Sequence, residues 1–186
     1  MKNYLILPAL IVILFTACKE KEEAKQEPPI SALSIIKGQI NRLDTSLYGI
    51  TKYETSGNIT DTVYLKREEI RKFAAPFLSL PEIADKKYYE NYTEERLIDA
   101  QQETLNITAT AKNENAEIQK QIIVIMLADI SSGKVQSIFI DRYIPSKDST
   151  VEQKLFWEID KYFSIGSIIE KENQPDKTHF TKVAWQ

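Results

Sequence analysis

The chain has 186 residues, 42% of them hydrophobic and 27% charged, the make-up of one ordinary globular domain rather than of a disordered or membrane-embedded chain. Its formal net charge is −3 and every acidic residue lies beyond Cys18, so the folded part carries a mildly acidic surface that repels phosphate backbones; nucleic acid is not an expected partner. Five glycines, without a GxGxxG or GxxxxGKS/T arrangement among them, exclude a phosphate-cradling loop, and no pattern in the chain calls for a cofactor.

The first seventeen residues, MKNYLILPALIVILFTA, hold one charge, Lys2, followed by an apolar run from Tyr4 to Phe15. As a helix that run rises only about 18 Å, well short of a hydrocarbon core of roughly 30 Å, so it reads as a secretory signal over residues 1–17 rather than as a membrane span. Phe15-Thr16-Ala17-Cys18 resembles the lipobox of bacterial lipoproteins, in which an apolar residue and two small ones precede the cysteine. The resemblance implies cleavage before Cys18, acyl chains on its thiol and amine, and stable anchoring, because more than one chain is what converts transient contact into attachment. A single cysteine cannot form an intrachain disulfide, and lipidation removes the exposed thiol.

Lys19 to Pro29, KEKEEAKQEPP, holds no apolar side chain larger than alanine and cannot bury enough surface to fold. Residues 18–30 are therefore expected to form a lipidated, charged tether with a reach of roughly 35 Å at about 3.3 Å per residue. The charge following the cysteine is similar to the surface-export signals of Bacteroidota lipoproteins, which implies an outer-membrane address. Whether the domain faces the periplasm or the cell surface stays open.

Residues 31–186 are expected to form a single α+β domain. Ser31 can cap a helix over Ala32 to Lys52, with Leu33, Ile36, Ile40, Leu43, Leu47 and Ile50 on one apolar stripe, and ETSGNITD reads as the turn that stops it. A second amphipathic helix is expected over Lys66 to Phe77, ended by Pro76 and Pro81. Leu80 to Glu95 reads as irregular. Alternation then predicts a strand in TLNITATA, and EIQKQIIVIMLA, apolar on both faces at its centre, reads as a mid-sheet strand; KVQSIFIDRY reads as a third strand, KLFWEIDKYFSIGSIIEK as a long strand with Gly166 as a bend, and HFTKVAWQ as a last strand. The expected architecture is two N-terminal helices packed on one face of a curved antiparallel meander of four to five strands. That order resembles the small lipoprotein of the outer-membrane protein assembly machinery, a likeness of element order alone that carries no site.

The chain's one histidine, His179, reads as a surface or internally satisfied residue on a terminal strand. Glu68, Glu69, Asp99, Asp129, Asp141, Glu158 and Asp160 are the carboxylates from which a glycosidase pair would be drawn, with Glu158 and Asp160 expected on one strand face. No spaced acids suggest a calcium loop and no metal site is expected. Tyr88, Tyr89 and Tyr92 crowd a charged stretch, while Trp157, Tyr162 and Trp185 lie in the last strands. Such rings bind sugars or protein partners when exposed, although filling a core is the commoner use of tryptophan. Asp61-Thr62-Val63 and Asp148-Ser149-Thr150 match the O-glycosylation sequon of the Bacteroidota, which implies Thr62 and Ser149 as acceptors in loops. The sum is a membrane-anchored, non-catalytic module for an envelope protein or glycan. The alternatives are a polysaccharide hydrolase with a carboxylate pair and a carrier of an apolar ligand.

Overall fold

The computed structural model describes residues 29–186, so the expected signal segment, Cys18 and nearly all of the expected tether lie outside the described residues. Among the described residues nine antiparallel strands form one sheet: β1 (Ile50–Ser56), β2 (Ile59–Leu65), β3 (Tyr92–Asp99), β4 (Thr104–Ala111), β5 (Ile118–Met126), β6 (Val135–Pro145), β7 (Ser149–Glu158), β8 (Tyr162–Lys171) and β9 (Lys177–Trp185). Strands β3 to β9 follow one another as a meander, and β9 then pairs with β1, leaving β2 and β3 at the two edges. The helices are few and short: α1 (Ala32–Thr45), α2 (Ile70–Phe73), α3 (Ala75–Leu78) and α4 (Lys86–Tyr89). The expected α+β architecture, two helices on four to five strands, is therefore incorrect; the sheet dominates the domain.

Each added strand has a local cause. Helix α1 begins where Ser31 Oγ accepts from the Ser34 amide at 3.0 Å, but it stops at Thr45, where the Ser46 amide turns back to Leu43 O. Leu47, expected on the buried stripe, is 94% exposed, and Ile50 opens β1. The supposed helix stop is a hairpin tip. Gly57 has φ +59°, Gly57-Asn58 is a two-residue turn, and Ser56 pairs with Ile59. Between Phe156 and Phe163 the chain has no glycine or proline, yet Asp160 adopts φ +62° and the Lys161 amide bonds to Glu158 O, so one expected strand is the β7–β8 hairpin. Strand β3 occupies part of the stretch expected to be irregular, its alternation masked by charges on an open edge. The expected second helix is divided into a 3-10 turn, Arg67–Glu69, then α2 and α3, because Pro76 has no amide to continue the helix through Ala74.

Alternation gives the sheet two faces. One carries Ile138, Ile140, Leu155, Trp157, Phe163, Ile165, Val183 and Trp185, all buried, and the helices cover it with Ile36, Ile40, Leu43, Ile70 and Phe77. The Phe77 ring stands at 89° to Trp157, with centroids 5.1 Å apart. Arg71 ties α2 to Asp44 and Asn41 of α1, and Gln39 of α1, itself buried, accepts the Asp160 amide of the β7–β8 turn at 2.9 Å. No described helix is long and apolar enough to cross a membrane.

Candidate functional site

The aromatics singled out by sequence are divided between core and surface. Trp157 and Trp185 are core residues, with rings 5.8 Å apart, and the indole Nε1 of Trp157 has no hydrogen-bond partner among the described residues. Tyr92 is buried and its hydroxyl donates to Ile118 O at 2.9 Å; burial, then the nearby Glu117 carboxylate, raises its phenol above the usual tyrosine range. Tyr88 packs against the core under the Lys87 ammonium, whereas Tyr89 lines an open groove with Lys86, Glu94 and Lys112. Tyr162 alone of the three late aromatics lies on the face away from the helices. Its ring meets Phe156 at 5.6 Å and the Lys182 ammonium at 3.9 Å, and partial burial followed by Glu158 raises its phenol. Thr62 and Ser149 lie in β2 and at the start of β7 rather than in loops.

The uncovered face is built by the residues that alternate with the core. One cross-strand row runs Phe139, Phe156, Ser164, Lys182, Tyr53 and Thr62 from β6 to β2, about 24 Å at the usual strand spacing. The next row runs Asp141, Lys154, Gly166, Phe180 and Thr55. Lys154 pairs with Asp141 at 3.0 Å and reaches over the Phe139 ring. Gly166 leaves a gap between these side chains, the floor of a groove of about 270 Å³ walled by Lys154, Glu152, Ile168, Thr55 and Phe180. Phe180 is 44% exposed. A Cβ at Gly166 would meet Phe180 Cδ2 at 3.9 Å and Lys154 O at 4.0 Å, ordinary contacts, so neither crowding nor backbone conformation demands glycine there. Flat rings beside paired charges and a shallow groove can stack on sugar faces or on apolar side chains while polar groups fix orientation. Phe139, Phe156, Phe180 and Tyr53 were not singled out from sequence. Their signal was their alternation with Leu155, Trp157, Thr181 and Val183.

His179 lies in β9, the last strand of the chain but an interior strand of the sheet rather than an edge, and has a full set of partners. Ser56 Oγ is 3.1 Å from its Nδ1, and Thr181 Oγ1 and Glu54 Oε1 are each 3.1 Å from its Nε2. The hydrogen-bonded Lys52 ammonium holds the Glu54 carboxyl below its usual range, aided by His179 and opposed by partial burial. Hydroxyl, imidazole and carboxylate thus stand in the order of a nucleophilic triad, with Glu54 shared between His179 and Lys52.

The carboxylates are brought together only in part. Asp129, Glu158 and Asp160 line one open groove of about 400 Å³ with Lys134 and Lys161. Asp160 sits in the turn and not on the β7 face, and it pairs with Arg42 at 3.2 Å, while Glu158 pairs with Lys161. Glycoside cleavage by an acid pair needs one carboxyl to keep its proton, and both of these face a cation. Asp99 accepts the Gln101 and Gln102 amides, Asp141 is held by Lys154, and Glu68 and Glu69 sit in an exposed 3-10 turn. Among the described residues no group of three metal-binding side chains occurs. Between helices and sheet the space is filled by Trp157, Phe77, Phe163 and their neighbours.

Comparison with known proteins gives no match: neither a protein-family description, nor a curated protein, nor a solved structure is significantly similar to this chain.

Proposed function

We propose that the chain is a lipid-anchored envelope protein of the outer membrane whose domain is a non-catalytic binding module for an envelope protein or a glycan. The lipobox and charged tether support the address. The observation that carries the binding reading is the uncovered sheet face, where Tyr53, Phe156, Tyr162 and Phe180 present rings beside Lys154, Lys182 and the groove over Gly166. Affinity on such a surface concentrates in a few aromatic anchors. A membrane pull-down with the native chain is compared with one using the combined variant Tyr53→Ser, Phe156→Ser, Phe180→Ser. The variant is expected to lose specific protein or glycan species while keeping its fold. An unchanged set of co-purifying species would remove the uncovered face as the binding site. Palmitate labelling tests the anchor, with label expected on the wild type and absent from Cys18→Ser.

Hydrolysis is the second reading, favoured by the Ser56-His179-Glu54 contact chain rather than by a carboxylate pair. An activated Ser56 would react with a fluorophosphonate probe, and Ser56→Ala would lose the label. Equal labelling of both proteins, or none of either, would leave binding alone.

A further inference from the structure

Strand β2 is an open edge of an unusual kind. All but its last residue are exposed, Ile59 and Tyr64 are 70% and 84% exposed, and its single charge is Asp61. The opposite edge, β3, carries Glu94, Glu95, Arg96 and Asp99 in eight residues, the kind of charge that discourages strand addition. Among the described residues nothing comparable guards β2.

The hairpin fixes which backbone groups of β2 are free to pair. A two-residue turn closes on a hydrogen-bonded pair, here Ser56 with Ile59. Bonding then alternates, so Ile59, Asp61, Val63 and Leu65 bond to β1, while the amides and carbonyls of Thr60, Thr62 and Tyr64 point away from it. The Thr55 and Thr60 hydroxyls, 2.9 Å apart, fit this assignment, since side chains approach more closely at a non-bonded pair.

We infer that β2 pairs antiparallel with β2 of a second copy of this chain about a two-fold axis at Thr62. In that register Thr62 meets Thr62, and Thr60 meets Tyr64 on either side, so all three outward-facing residues exchange both backbone hydrogen bonds. Ile59 then faces Leu65, and Tyr64 covers Thr60. Each Asp61 faces Val63, which keeps the two carboxylates from standing opposite one another, as they would in a register centred on Asp61. The contact is isologous and closed, a nine-stranded sheet continued into its mate. A sugar on Thr62 would occupy the axis and block it.

Sedimentation of the unmodified full chain in a nonionic detergent tests the inference. Wild type is expected to shift from monomer to twice that mass over tens to hundreds of micromolar. Thr62→Pro removes an amide that points away from β1, so the fold should persist and the shift should vanish. Thr62→Lys and Thr62→Glu, each alone, should remain monomeric, and an equimolar mixture should recover the dimer because the two charges meet at the axis. Monomeric wild type throughout that range would overturn the inference. So would an undiminished dimer in Thr62→Lys, or a Lys and Glu mixture that stays monomeric.

Discussion

Phe77 of α3 stands edge-on to Trp157 of β7, with rings at 89° and centroids 5.1 Å apart, and this contact joins the helical layer to the sheet. Trp157 is in turn stacked on Phe163 at 4.9 Å, and Phe77 also meets Phe163 at 5.5 Å. All three are fully buried. Phe77→Ala is expected to lower unfolding stability by about 3–5 kcal/mol, the usual cost of deleting a buried ring where neighbours cannot close the space. Because both tryptophans lie in this cluster, intrinsic fluorescence during urea titration reports the change directly.

Arg142 links three elements through one guanidinium. It donates to Pro76 O at 3.2 Å, to Glu117 Oε1 and to Gln153 Oε1, with its side chain only 12% exposed. Arg142→Met keeps much of the packing but removes every donor, and a loss of about 1–3 kcal/mol is expected in denaturant titration. Arg142→Lys should recover only part of it, since an ammonium lacks the planar fork.

Tyr92 gives the alkaline limb a sign. Its phenol is raised by burial, so the folded state keeps a proton that the unfolded state releases from about pH 10 upward, and stability falls as pH rises through that window. Tyr162, raised for the same first reason, adds to it. Tyr92→Phe should cost about 1–2 kcal/mol at neutral pH by removing the donor to Ile118 O, and should flatten the decline above pH 10 in denaturation series.

Glu54 acts at the other end of the scale. The Lys52 hydrogen bond depresses its carboxyl, so its contribution is complete above the ordinary carboxylate range and is lost as pH falls through the lowered value. Glu54→Gln is expected to reduce the slope of stability against pH below about pH 4, and only slightly, because solvent screens this half-exposed group.

Gly166 lies in the middle of β8 without a conformational need for glycine. Gly166→Ala should therefore raise stability by about 0.5–1 kcal/mol in thermal or chemical unfolding, by restricting the unfolded chain. A loss of stability would mean that the space above it cannot accept a methyl group.

Local pattern was enough for some elements and misleading for others. Ser31 with Ile36, Ile40 and Leu43 marks α1, alternation marks β4, a centre apolar on both faces marks β5 as an interior strand, and β6 and β9 are legible as apolar-rich runs bounded by turn residues. Leu47 and Ile50 continued the helical spacing by coincidence, which hid the Gly57-Asn58 hairpin behind an apparent helix stop. The turn at Asp160 carries none of the usual glycine or proline signals, because an amide from the turn is satisfied by Gln39, 121 residues earlier in the chain. The candidate site suffered in the same way. Trp157 and Trp185 drew attention as large rings, but the parity of their strands directs them to the helices and directs Phe156, Tyr162 and Phe180 outward.

By itself the sequence determined composition, charge, the lipobox resemblance at Cys18 and the two-residue period of the later strands, since each is a property of neighbours along the chain. Only the tertiary structure decided that nine strands share one sheet, which aromatic rings remain in solvent and that β2 is left as an unguarded edge. Those outcomes depend on which face the helices cover and on β9 closing against β1, contacts between residues far apart along the chain. No local period records them, because alternation states that two faces differ and leaves to long-range burial the choice of which one is dry.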